Sequence, residues 1–488
     1  MLAKLVALTR KGSFTAAIAM LARVSNQVAV VGVTLVATRV LGPADFGVFS
    51  IGAALLTLAR TMLYTGPFEF LLKAPEERGL AVSRACLVAN GVVALGWLIL
   101  LVLTGLAAPL MFRGAGVAAV ILALAPSNLI AGVAGWMEAL MLRSGQVRRY
   151  YVSTVAVEFG SGIGTAILLL EGCGLWALVA QVYMRMLLYV AIYGLVVKVP
   201  AWQRPPAADV GEVLRWSRSR YGSVLVGFLA NYSGDLLLGL TFSPAASGLY
   251  RAGNRMVTAL ADMFVQPASL LTTTTLAAER ARGVQDTGVW LRLLSLFAAM
   301  AFPALALLAL VADRVTPIAL GPAWAAAGPV VSVFCIARMA GLVSAVSSST
   351  LVVHDRQGRV LAVQGAAAVA TGVLTLVAAP FGAVAAAAAA AAVTIVASIA
   401  LFRSAAGVQP PQSGPLGDAA RMVLLPLVGT LSIGFLADVL LRRAGVQAKL
   451  DVALVVGLGV AGWAVAAWLA APALRRGVAV LSDRPGGR

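Results

Sequence analysis

The chain is poor in almost everything a soluble enzyme uses. Of its 488 residues only 11% are charged, one is histidine and three are cysteine. The cysteines, Cys86, Cys173 and Cys335, are odd in number and show no pairing pattern, so neither a disulfide framework nor a metal site follows from them. No P-loop, paired acids beside an extended loop, or metal-ligand cluster is present, and no catalytic residue, cofactor or enzymatic activity is expected. Acidic residues are scarcer than basic ones, 19 against 37. The resulting charge of +18 does not point to nucleic acid, because the basic residues stand singly or in small groups between apolar stretches.

What the chain has is apolar surface. At 61% hydrophobic residues and a mean hydropathy of +0.94, it holds more than one soluble core could hide, which predicts an all-α polytopic membrane protein. Each crossing takes about 20 residues. Cutting at Gly/Pro and charge clusters gives about 14 candidate spans, near 13–38, 47–65, 85–108, 117–141, 151–170, 175–197, 221–241, 248–271, 289–311, 325–350, 361–379, 380–402, 419–441 and 450–470. With a cytoplasmic N-terminus, roughly 24 Lys/Arg fall inside against roughly 8 outside, mostly Arg251, Arg255, Arg442, Arg443 and Lys449, so both termini are expected in the cytoplasm. The opening "MLAKLVALTRKGSFTAA" lacks a short apolar region ending in a small-residue cleavage site, and no cleaved signal peptide is expected.

The longest polar segment, Lys198 to Tyr221, begins rich in proline and continues as a basic amphipathic stretch. It reads as a hinge lying on the inner leaflet. The predicted division is an N-terminal lobe at 1–200 (spans one to six), a cytoplasmic amphipathic hinge at 201–220, a C-terminal lobe at 221–403 (spans seven to twelve), and two further spans with a cytoplasmic tail at 404–488.

The two lobes read as copies. "RVLGPADFGVFS" (Arg39 to Ser50) after span one and "LTFSPAASGLYR" (Leu240 to Arg251) after span seven share Pro, three residues, Gly, one residue, aromatic. "MLRSGQVRRY" and "LVVHDRQGRV" correspond further on, as do "EGCGLWALVA" and "APFGAVAAAA". Parallel repeats are a transporter arrangement. The repeated motif reads as a tight outer turn: Pro43 and Pro244 end one helix or open the next, Gly47 and Gly248 remove side chains where helices converge, and Phe49 and Tyr250 suit the membrane interface. It is architecture rather than catalysis.

With these residues quoted, the chain resembles the polysaccharide (O-antigen and exopolysaccharide) flippases of the multidrug/oligosaccharidyl-lipid/polysaccharide exporter superfamily. The likeness rests on "RVLGPADFGVFS", on "NYSGDLLLGLTFSPAASGLYRAGNRM" and on "ALGPAWAAAGPVVSVF". Gly42, Pro43 and Gly47 carry its first turn, and Asp235, Gly239, Pro244, Gly248 and Tyr250 match its span-seven pattern. The resemblance implies two pseudo-symmetric six-helix lobes plus two C-terminal helices and a central cavity open alternately to each side. It further implies a cargo of saccharide on a polyprenyl pyrophosphate carrier in the bacterial inner (cytoplasmic) membrane, for surface polysaccharide synthesis beside a polymerase and glycosyltransferases.

Charges inside spans mark the candidate chemistry, since each costs roughly 2.5–3.5 kcal/mol to insert. They are Arg23 with Asn26 and Gln27, Arg60, Glu138, Glu158, Arg185, Asn231 with Asp235, Arg251, Arg255, Asp262 with Gln266, and Arg338. Arg23 and Gln27 share a helical face, as do Arg251, Arg255 and Asp262. Arginine's planar fork suits a pyrophosphate, so Arg23, Gln27, Arg60, Arg251 and Arg255 are the expected substrate-binding cavity residues. Asp235 and Asp262 are expected to form ion pairs or to hold a coupling ion, H+ or Na+; Asp262 would oppose Arg255 or a neighbour. Glu138, Glu158 and Arg185 are expected to form a buried ion-pair set. His354 reads as a solvated loop residue and the alanine run from Ala385 as a packing face. Three rivals remain open: a multidrug or metabolite cation antiporter of the same superfamily, which would favour an acidic cavity; a membrane polysaccharide polymerase or ligase, which would need a large outer loop; and a non-transporting scaffold for a synthesis complex.

Overall fold

Proline and glycine cut the apolar runs into helices, because proline breaks the helical hydrogen-bond ladder and glycine accepts the backbone angles that end one. The computed structural model describes residues 25–470 apart from 76–77, 113, 115, 198, 200, 284–287, 411–412 and 445–446. Among the described residues every regular element is helical. By packing the chain divides into two compact units, Met1–Gly248 and Leu249–Arg488.

The first unit holds α1 (25–40), α2 (Pro43–Leu63), α3 (Gly79–Met111), α4 (Val117–Arg143), α5 (Val147–Leu170), α6 (Trp176–Val196) and α7 (Ala207–Thr241). A turn at Ala125 and Pro126 jogs α4. Beyond Leu63 the chain of α2 loosens into a π-helical turn, Tyr64–Phe68, with Gly66 at non-helical angles and Pro67 inside, before a short helix, Glu69–Lys73. The second unit is built from α8 (Pro244–Ala281), whose first turn belongs to the first unit, then α9 (Val289–Leu320), α10 (Gly328–Val353), α11 (Gln357–Ala378), α12 (Ala383–Val408), α13 (Ser413–Arg443) and α14 (Ala448–Leu469).

Twelve of these helices, α2 to α7 and α9 to α14, are long and apolar enough to cross a membrane. α8 is more polar, and α1 is described only from residue 25. The protein is thus an all-α, multi-pass membrane protein. Large apolar side chains such as Leu110, Leu170, Leu195 and Trp468 stand exposed, where only lipid can cover them. Pro380 and Gly382 do separate α11 from α12.

The expected surface hinge takes another form. Residues 207–220 are the first turns of α7, continuous with span seven, since no proline interrupts the 35 residues from Ala207 to Thr241. Their apolar side, Val210, Val213 and Leu214, packs on a protein cluster of Leu71, Val82, Ala85, Cys86, Ala89 and Trp136 instead of on lipid. Arg78 bonds Asp209 at 3.2 Å and Glu212 at 3.1 Å, Arg220 pairs with Glu69 at 2.9 Å, and Arg84 donates to the Ala201 carbonyl. The Glu212 carboxylate in particular raises the Arg78 guanidinium above its ordinary value.

The two copies of the turn motif pack against each other. Pro43 and Pro244 each open a helix, and Ser243 Oγ accepts the Ala246 N–H at 3.2 Å to cap α8. A methyl group on Gly47 would fall inside the Pro244 carbonyl oxygen, and one on Gly248 inside the Pro43 carbonyl oxygen. Gly239 faces the tip of Ile51, whereas Gly42 has open space around it. Phe49 and Tyr250 are buried, not interfacial; Tyr250 meets Phe334 edge-on at 5.0 Å.

In the second unit α9 is the central post. Its Trp290 is fully buried and donates to the Gln409 carbonyl at 3.3 Å. α13 and α14 meet through glycines: a methyl on Gly429 or Gly462 would strike the partner's backbone, and Gly459 lies against Leu307 of α9. At one end of this seam Arg314 bonds both Asp438 and Asp451, and Arg442 bonds Asp438 at 3.0 Å and Asp313 at 3.1 Å. The Arg280–Asp355 pair, 2.6 Å, fastens the end of α8 to the turn after α10. The Arg280 hydrogen bond holds the Asp355 carboxyl below the ordinary carboxylate range. A lowered carboxyl stabilises its folded form above its unfolded value and loses that contribution as pH falls. The protection of the peptide around Asp355, its exchange relative to the unstructured rate at each pH, is therefore expected to be flat down to about pH 4 and to fall only below it.

Candidate functional site

Each unit carries its own set of polar groups inside its helices. In the first unit they gather where the π-helical turn of α2 meets α4, α5 and α6. Arg60, in the last turn of α2, donates to Ser127 Oγ at 3.3 Å. The neighbouring guanidinium is Arg185, which donates to Glu158 at 3.4 Å, and Tyr189 donates to the other Glu158 oxygen at 3.0 Å. The expected buried set is therefore a pair: Glu158 binds Arg185, while among the described residues Glu138 is reached by the hydroxyls of Tyr64 and Tyr150 and not by an arginine. The reason is the unwound turn, which carries Tyr64 across to α4; nothing in the spacing of the sequence marks it. Tyr193, fully enclosed, completes the group, its ring 5.3 Å from that of Tyr189. Asn90 and Asn128 tie α3 to α4 through the Gly132 and Ala94 carbonyls at 3.2 and 3.4 Å.

Other expected residues of this unit fall apart from that group. Gln27 lies on the exposed side of α1, and Arg23 lies outside the described residues. Asp235 is fully enclosed in α7.

In the second unit the polar groups run along α8. Arg251, Asn254, Arg255, Thr258, Asp262, Gln266, Ser269 and Thr273 recur at three- and four-residue steps and so share one stripe. The core side of the same helix is apolar, with Ala252, Val257, Ala261 and Ala268 buried, and Met263 and Leu270 stand exposed on a further side. Arg338 of α10 leans onto the stripe. It donates to Asn254 Oδ1 at 2.9 Å and is the charge opposite Asp262, the neighbour that sequence left unnamed. Lower on the stripe, Ser269 and Ser349 share a hydrogen bond of 2.9 Å. The arginines Arg251 and Arg255 are half-buried. His354 keeps to structure, its ring nitrogen 2.8 Å from the Thr350 carbonyl.

Guanidiniums, amides and hydroxyls aligned along a helix can hold an anion and its polar attachments, since charge-assisted arginine forks grip phosphate-like groups in a partly dry site. The sequence missed the Arg314, Asp438 and Asp451 cluster. Its members are 124 and 137 residues apart, and only the fold joins them.

The fold has known counterparts. It is similar to the lipid II flippase MurJ in its inward closed conformation, with a TM-score of 0.76 at 9% identity over 95% of this chain and 100% of that one. A multidrug resistance MATE family transporter of the MOP superfamily, in an inward-facing conformation, gives 0.64 at 11% identity over 80% and 96%. At such identities the likeness is one of fold. No curated protein matches the sequence. The model of a family described as polysaccharide biosynthesis protein matches residues 36–329, more than half of the chain, and the protein belongs to that family.

Proposed function

We propose that the protein is a transporter that flips saccharide units linked to a polyprenyl pyrophosphate from the cytoplasmic to the outer face of a bacterial inner membrane, by alternating access. The observation that carries this reading is the arginine-bearing polar stripe of α8 in a multi-pass member of a polysaccharide biosynthesis family. Likeness in fold to a lipid II flippase supports a lipid-linked cargo. Arg60, Arg251 and Arg255, with Arg23 and Gln27, are the proposed cargo contacts. Two pseudo-symmetric lobes, 1–200 and 221–403, are the proposed repeat, with the polymerase and glycosyltransferases as partners and both termini cytoplasmic. An anionic carrier moving outward gains about 2.3 kcal/mol per charge per 100 mV, so the membrane potential can drive the step. A cation antiporter would need acidic lining; the one carboxylate on the α8 stripe, Asp262, already faces Arg338.

The test is flipping of a lipid-linked oligosaccharide in proteoliposomes. Arg60→Ala, Arg251→Ala and Arg255→Ala are each expected to slow it by roughly ten- to a hundredfold, the worth of a charged hydrogen bond. Unchanged rates in all three, and in Arg23→Ala, would sink the assignment.

A further inference from the structure

Glu138 is the group the cargo reading does not use. It sits in the middle of the first unit and keeps part of its surface open. Every element packed on α4 presents titratable or charged groups. α2 presents Arg60 and Tyr64; the short helix after it presents Glu69, held by Arg220, and Lys73, over Trp216. α3 presents Cys86; α5 presents Tyr150, Tyr151 and Glu158; and α6 presents Tyr183, Arg185, Tyr189 and Tyr193. α4 itself ends in Arg143, bonded to the Leu71 and Pro75 carbonyls. The groups that reach Glu138 are the hydroxyls of Tyr64 and Tyr150. Tyr193, fully buried with no partner for its hydroxyl, feels Glu138 more strongly than any other charged group. A buried phenol left unsatisfied beside a carboxylate marks a place where one more polar occupant fits.

We propose that Glu138 binds a proton, and that the proton strengthens binding of an anionic headgroup by the first unit. The inference rests on the anionic cargo proposed above. A metal cation fits poorly: it needs several oxygen ligands, whereas here one carboxylate is met by phenol donors, one of which, Tyr64, is also within the field of two guanidiniums, Arg60 and Arg185. A proton needs one oxygen. It comes from a hydronium ion: one hydronium O–H bond breaks as the Glu138 O–H bond forms, and a water molecule is released. The charge balance gives the consequence. Arg60, Arg185 and Glu138 share the surroundings of Tyr64, and Glu158 is taken by Arg185; once Glu138 is neutral this group of four carries one net positive charge, and Arg60, bonded to Ser127 with its Nε unpartnered, carries it. Proton and anion then bind together.

Farnesyl pyrophosphate binding to the purified full-length protein tests this. Lowering the pH from about 7.5 to about 5.5 is expected to tighten binding to wild type about tenfold more than to Glu138→Gln, in the usual range of coupling between two sites. At the lower pH Glu138→Gln should bind as wild type does, and at the higher pH it should bind more tightly than wild type. The probe's own titration affects both proteins alike and cancels. Equal pH dependence in the two overturns the proposal. Should Glu138→Gln fail to fold, infrared difference spectra across the same pH step read the carboxyl band directly; Tyr64→Phe must shift that band, and an unshifted band also overturns it. Binding needs no flipping, so the two readings fail separately. A protein that flips no saccharide yet keeps Glu138-dependent binding refutes only the function, and flipping with binding indifferent to Glu138 refutes only the proton.

Discussion

Arg314→Met is expected to lower stability by about 3–5 kcal/mol, the cost of removing one partner from a buried ion pair. Arg314 is 13% exposed, and its partners Asp438 and Asp451 are 7% and 4% exposed, so its loss weakens the pairing of one buried carboxylate and strands the other away from water. Arg442 still reaches Asp438, but Asp451 keeps no cation. The signature is recovery: Arg314→Met with Asp438→Asn and Asp451→Asn removes the stranded charge and should regain most of the loss. Thermal unfolding in detergent checks both steps. If the single and triple variants melt alike, the cluster is not what fastens α13 and α14 to α9.

Gly47→Ala and Gly248→Ala are each expected to cost about 1–3 kcal/mol, at the upper end because the new methyl meets backbone that cannot rotate away. Gly42→Ala, in open space, is the control and should melt like wild type. The two damaging changes touch the same contact from opposite sides, so their double variant should cost less than the sum. A fully additive double variant would mean that the turns do not lean on each other.

Much of this fold could be read from the chain. The apolar runs placed the helices, and Pro43, Pro244, Pro380 and Gly382 placed their ends within a few residues, because these residues act on the backbone locally. α7 was harder. The proline-rich start of the Lys198–Tyr221 segment suggested a separate surface element, but the breakers stop at Pro206 and the helix runs on. The candidate sites were legible in kind and less so in partner. The three- and four-residue spacing of Arg251, Arg255 and Asp262 reveals a stripe, since helix geometry is local. That Asp262 answers to Arg338, or that Tyr64 reaches Glu138, depends on how distant helices meet and on an unwound turn with no signature of its own.

The continuity of α7 has a mechanical meaning. A helix of 35 residues is a rod about 50 Å long. Its lower end is stitched by Arg78, Asp209, Glu212, Arg220 and Glu69, and its upper end, at Gly239, rests on Ile51 just before the Pro244 turn. A strut pinned at both ends transmits force with little loss. What precedes span seven is therefore no slack tether, and a push at the stitched end of the helix would be felt at the glycine turns at its other end.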